Sequence, residues 1–154
     1  MKKLILMVVV AIALTGCMPD NIKPGQEIKF VQVHDVPKTS KGELFSKVEQ
    51  WFAINYNSSK SVINMKNADS GVIIGRGITS ANAGYGVPNT VYYTIKVEVR
   101  DGRVRFTGDS FNWVQNGAPI SLAATLKDMR AEMASLSRSL SGYVSQPKKT
   151  SDNW

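Results

Sequence analysis

Cysteine and histidine are almost missing: the 154 residues hold one of each, Cys17 and His34. A single cysteine excludes an internal disulfide framework. One cysteine with one histidine is too few for a Cys/His zinc site, and His34 would have to serve any Ser-His-Asp triad. A Cys17–His34 thiol–imidazole pair is conceivable, but the position of Cys17 has a better explanation. Other signatures are absent too. No Gly-x-Ser-x-Gly elbow occurs. No Gly-Lys-Ser/Thr follows the glycine-rich stretches "GVIIGRG" and "GYG", so neither is a phosphate loop. There is no calcium loop. Asp101 belongs to a turn signal, Glu98 to a polar strand side, and Asp109 stands alone, so no two carboxylates pair for acid–base work. Neither a metal nor a cofactor is expected.

Acidic residues are outnumbered, 12 Asp and Glu against 19 Lys and Arg, for a net charge of +7. Lys2 and Lys3 belong to a segment expected to be removed, which leaves 17 basic against 12 acidic side chains, a net of +5. Such an excess favours solubility and weak attraction to anionic lipid or polymer. The bases are scattered, with no stripe of Lys and Arg interleaved with aromatics, so nucleic acid is not the expected partner.

What the sequence does have begins at its start. Lys2 and Lys3 precede an uncharged run, "LILMVVVAIAL", from Leu4 to Leu14. That run is too short for a stable membrane span and has the form of a signal peptide over residues 1–16. It ends in "LTGC": Leu14, Thr15, Gly16 and Cys17. These four residues resemble the bacterial lipobox at every position. The resemblance implies that the Cys17 thiol takes a diacylglyceryl group, that a peptidase recognising Leu14, Thr15 and Gly16 cuts before it, and that the new amino group is usually acylated too, with palmitate expected in the anchor. One chain anchors weakly, at about 0.8 kcal/mol per buried methylene, while two or three anchor durably. Met18 stands where an aspartate would signal retention in the inner membrane of enteric-type bacteria. The expected location is therefore the outer membrane, facing the periplasm.

Residues 17–26 read as a lipidated tether, with Pro19, Pro24 and Gly25. A domain follows over residues 27–146, and 147–154 form a basic tail. "EIKFVQVHDV" predicts a first strand. Leu44, Phe45, Val48, Trp51, Phe52 and Tyr56 then fall on one helical face, and Ser40 with Glu43 predicts a capping box opening a helix near Lys41. Four strand-like runs follow. In "TVYYTIKVEVR", Tyr93, Ile95, Val97 and Val99 alternate with Tyr92, Thr94, Lys96 and Glu98. "NADSG" marks a hairpin turn, Asp101-Gly102 a two-residue type I′ turn, and "SANAGYGVPN" a longer loop. Gly75 and Gly77 mark a bulge or a close approach of helix and strand. A last helix, capped by Ser121, carries Leu122, Leu126, Met129, Met133, Leu136, Leu140 and Tyr143 in a seven-residue repeat. That stripe suits either packing on the sheet or a coiled-coil seam, and packing is favoured because five amphipathic strands need a cover.

The order β-α-β-β-β-β-α predicts an α+β two-layer sandwich: one antiparallel five-stranded sheet with both helices on one face and the other face wet. The stretches "GELFSKVEQWFAINYNSSKSVINMKNADSGVIIGRG" and "YYTIKVEVRDGRVRFTGDSF" resemble a bacterial domain of unknown function with a TATA-binding-protein-like fold. The resemblance implies the fold. It brings no activity, and the fold name alone does not import DNA binding.

Candidate contact residues remain. Tyr85 sits between Gly84 and Gly86 on the predicted loop. Lys96, Arg100, Arg103 and Arg105 gather about the Asp101-Gly102 hairpin and would form a basic patch beside Tyr92 if they share the open sheet face. His34 is expected at the surface beside Asp35. The sequence thus suggests a lipid-anchored, non-enzymatic envelope protein, a binding or assembly/protection module that could equally be phage- or prophage-encoded. Its partner would be an envelope protein or an anionic surface. Two alternatives stay open: a hydrolase of cell-wall or lipid material using His34 and a serine, and a structural role through an oligomerising last helix.

Overall fold

The computed structural model describes residues 28–56, 62–84 and 86–147, and of Val62 the backbone only. Leu14, Thr15, Gly16, Cys17 and Tyr85 lie outside the described residues. Within them the elements are β1 (Phe30–Asp35), α1 (Lys41–Asn55), β2 (Val62–Asn67), β3 (Val72–Asn82), β4 (Pro88–Arg100), β5 (Arg103–Trp113) and α2 (Ala123–Val144). The strands form one antiparallel sheet in the order β1-β5-β4-β3-β2. This is the α+β architecture that the alternating patterns predict.

β4 lies at the centre of the sheet, and its alternation decides which face is covered. Val91, Tyr93, Ile95, Val97 and Val99 are all buried, as are Ile73 on β3 and Val104 and Phe106 on β5. The helices lie over these residues. α1 contributes Leu44, Phe45, Val48, Trp51 and Phe52, all buried, and begins where Ser40 Oγ accepts the Glu43 N–H at 3.3 Å. Asp101 Oδ1 adds a second acceptor at the same helix end, 2.7 Å from the Lys41 nitrogen.

α2 packs on the sheet, against β1, β3 and β5, and beside α1. Its buried stripe is Thr125, Leu126, Met129, Met133, Ser137, Leu140 and Val144. That differs from the predicted seam at both ends. Leu122 is 44% exposed, and Leu136 and Tyr143 are partly buried at the flank. At the C-terminal end the cause is geometric: an ideal helix drifts about 20° per heptad against a seven-residue repeat, whereas Leu122 precedes the helix in extended conformation. The predicted Ser121 cap is also displaced, because Leu122 occupies the cap position and makes no side-chain cap bond.

Two turns differ from expectation. Arg100 pairs with Arg103, so Asp101 and Gly102 do form a two-residue loop. Only Gly102 is left-handed, however, with φ +69°. A type I′ turn needs both central residues left-handed, so this turn is of another type, with the Asp101 carboxylate committed to α1. The loop expected over residues 80–89 is shorter, because β3 and β4 stay paired as far as Asn82 and Pro88. The "NADSG" turn is as predicted, with Asn67 paired to Val72 and Gly71 at φ +71°.

β5 contains a bulge that the sequence reading did not anticipate. Thr94 pairs with Asp109 but Tyr92 with Asn112, so two residues of β5, Ser110 and Phe111, face one of β4. Ser110 takes φ +55° there. The extra residue inverts the alternation. Upstream, even-numbered Val104 and Phe106 point inward; downstream, Phe111 does.

Glycines mark two close approaches. A Cβ at Gly77 would fall 2.3 Å from Cζ of Tyr93, its partner on β4, so Gly77 makes room for a buried ring across the strand pair. The helix–strand approach lies elsewhere: a Cβ at Gly108 would fall 2.4 Å from Met133 Sδ of α2. The bulge expected near Gly75 is on the facing strand, between Ile63 and Met65 of β2.

Both glycines should resist a side chain, but unequally. Gly77→Ala is expected to cost about 1–3 kcal/mol, since a buried ring cannot step aside. Gly108→Ala should cost less, because the thioether of Met133 can change rotamer. Urea-unfolding midpoints of the two variants check the order, and equal midpoints would contradict it.

Candidate functional site

The face of the sheet turned away from the helices carries the charged side chains. Strand alternation and register put Tyr92, Thr94, Lys96, Glu98 and Arg100 of β4 on it, with Arg103, Arg105, Thr107 and Asp109 of β5. β1 adds Val31, Val33 and Asp35, and β3 adds Ile74, Arg76 and Ile78. The basic residues named from the sequence therefore do share one face.

Their charges are partly balanced. Glu98 accepts from Lys96 at 3.2 Å and from Arg105 at 3.3 Å. Arg103 Nε donates to Asp35 Oδ1 at 2.8 Å. Such exposed pairs contribute between about 0 and 1 kcal/mol each, so they leave the guanidinium groups available to a partner. Arg100 has no acidic partner among the described residues and stands directly opposite Arg103. A shallow depression is lined by Val33, Glu98, Arg100, Arg103 and Arg105.

Tyr92 is not part of this cluster. It pairs with Asn112 and Ile78, near the other end of β4, and the guanidinium of Arg76 sits 5.4 Å from its ring centroid. The expectation of a basic patch beside Tyr92 is corrected accordingly: its cation is Arg76, which the sequence reading had not singled out. Alternation on β3 was the signal, since Arg76 falls on the same side as Ile74 and Ile78.

The second candidate, His34, is not a surface residue beside a turn. It points inward from β1, and its Nε2 lies 2.8 Å from Ser137 Oγ on α2. Alternation from Phe30 through Gln32 would have given this direction. A histidine and a serine are thus brought together, but not a triad. Asp35, the next residue, projects from the opposite face and binds Arg103. Ser137 is 0% exposed, so a substrate has no path to its oxygen. The pair satisfies a buried hydroxyl. Burial holds the His34 pKa below its ordinary value.

A third polar group lies within the core. Tyr56 and Tyr93 are 6% and 5% exposed, and their phenols interact with each other in the core. Burial raises both phenol pKa values, which keeps them neutral and unsuited to act as bases. Among the described residues no three His, Cys, Asp or Glu side chains converge as metal ligands. None of the described helices is long and apolar enough to cross a membrane.

A five-stranded antiparallel sheet with two helices on one face, in this connection order, defines a domain of the TATA-binding-protein-like class. The chain belongs to DUF4468, a domain of unknown function with TBP-like fold, whose family profile matches residues 30–113. It is similar to a DUF4468 family protein of Bacteroides ovatus at TM-score 0.59 and 12% identity, over 84% of this chain and 93% of that one. It is equally similar to a TBP-like protein of Parabacteroides distasonis, at TM-score 0.59 and 13% identity, over 81% and 99% of the two chains. At such identities the likeness shows the fold alone. No functionally curated protein matches the sequence.

The His34 contact gives a pH test. With the folded pKa below the unfolded value, the stabilisation is present above about pH 6.5 and is lost as pH falls from there through the folded pKa. Wild-type protein should therefore lose more stability between neutral and mildly acidic pH than His34→Gln, which cannot protonate. Paired urea titrations of both proteins check this, and parallel losses would refute it.

Proposed function

We propose that the protein is a lipid-anchored, non-enzymatic binding module of the bacterial cell envelope, with the open sheet face as its contact surface. The observation that carries this reading is "LTGC" at residues 14–17, placed directly after a charged start and an apolar run. The anchor would confine the domain to one membrane surface, expected to be the periplasmic face of the outer membrane, where weak contacts gain from a high local concentration. The open face supports the binding role, because its side chains project to solvent and its cations are only partly neutralised. The hydrolase reading gains nothing from His34 and Ser137, since the serine is buried and the neighbouring aspartate points away.

Cells expressing the full chain should incorporate labelled palmitate into it, and the protein should sediment with membranes. Cys17→Ser should lose the label and move to the soluble fraction. An unlabelled wild type that fractionates like Cys17→Ser would refute the anchor.

A further inference from the structure

The corner of the open face next to the β4–β5 turn combines three features that point to one partner. The first is charge. Among the described residues, the ion pairs of Lys96, Arg103 and Arg105 are with Glu98 and Asp35, and Arg100 has none. Arg100 and Arg103 stand opposite each other across the strand pair, an arrangement that opposes folding by itself. An anion lying between them removes that repulsion.

The second feature is apolar exposure on the same surface. Val31 and Val33 of β1 are 49% and 52% exposed. Val33 is the register partner of Arg105, and Val31 of Thr107, so aliphatic and guanidinium groups lie side by side. The third is reach. Only 10 residues separate Cys17 from Ile28, where the described domain begins, a span of at most roughly 40 Å when fully extended. The strand the tether enters is the one that carries both valines.

We infer that this corner, Arg100, Arg103 and Arg105 with the Val31–Val33 edge, docks on the anionic phospholipid surface of the same bilayer that holds the Cys17 anchor. The inference rests on the lipid-anchor reading. Phosphates in a headgroup layer lie in a plane, as do cations projecting from one sheet face. The valines match the boundary between headgroup and acyl chain. A protein partner is a poorer fit, because the arginines here line a shallow depression with no aromatic anchor beside them. The nearest aromatic on this face, Tyr92, lies toward the other end of β4 against Arg76.

The test uses the full lipidated chain carrying Val33→Cys. Acylation occupies the Cys17 thiol, so an environment-sensitive fluorophore attaches only at position 33. The protein is reconstituted into vesicles of phosphatidylcholine alone and of phosphatidylcholine with phosphatidylglycerol. The emission should shift to the blue and rise by about two-fold or more only in the anionic vesicles, and the change should reverse in high salt. Arg100→Glu with Arg105→Glu should abolish it. The milder Arg100→Gln, with an unfolding midpoint no lower than that of the wild type, should weaken it by up to about five-fold, the effect of one basic residue near an anionic leaflet. A probe equally wet in both vesicles, on protein that floats with them and has the acylated mass, overturns docking and leaves the anchor intact. Protein of unacylated mass that floats with neither overturns the anchor reading. A shift that appears only after a native envelope extract is added assigns the corner to a protein partner and overturns membrane docking.

Discussion

A single sheet covered on one side has one dry face and one wet face, and β4 fixes which is which. Val91, Tyr93, Ile95, Val97 and Val99 turn inward at every second position, flanked by Ile73 on one side and by Val104 and Phe106 on the other. Each such side chain contributes about 1.5–3 kcal/mol by leaving water. Both helices are held against that row, and all the polar residues between them are driven to the opposite side. The charged face is thus a direct product of the core. Lys96, Glu98 and Arg100 are exposed because Ile95, Val97 and Val99 are not.

The same logic separates chemistry from packing at the two candidate sites. His34 and Ser137 have the distance of an activated nucleophile, 2.8 Å, but the serine is sealed on the buried side of α2. The arginines of the outer face have no such depth and only loosely held carboxylates. What they offer is charge in a plane, the feature on which the proposed binding to an anionic surface rests.

Much of this was legible in the sequence. The period of β4, the Ser40 cap, the Asn67–Gly71 turn and the two-residue loop at Asp101-Gly102 each depend on local patterns, and each appeared. What was not legible depends on geometry that a strict repeat ignores. The heptad spacing of α2 placed Leu122 in the core, whereas the helix starts one residue later and leaves Leu122 exposed at its cap, and the drift of a straight helix buries Val144. The bulge at Ser110 left no motif, yet it decides that Phe111 faces the core. The direction of His34 was available from alternation, but its partner was not, because Ser137 lies 103 residues further along the chain. Tyr92 was assigned to the right face but the wrong neighbours, because the sequence does not give its distance from the arginines along β4.

The carboxylate of Asp101 joins the amide of Lys41 to a turn 60 residues downstream. Gly102 strengthens the seam: its nitrogen donates to the Thr39 carbonyl and its carbonyl accepts from Val36, both at 2.8 Å. As the polypeptide emerges from the ribosome, α1 is therefore made well before the hairpin that completes its first turn. Until β4 and β5 have been synthesised and have paired, that end of the helix has only Ser40 to cap it, and the junction between β1 and α1 has no fixed angle. The two-residue turn at Asp101 and Gly102 is thus also the clasp that sets the first strand and first helix in their final relation.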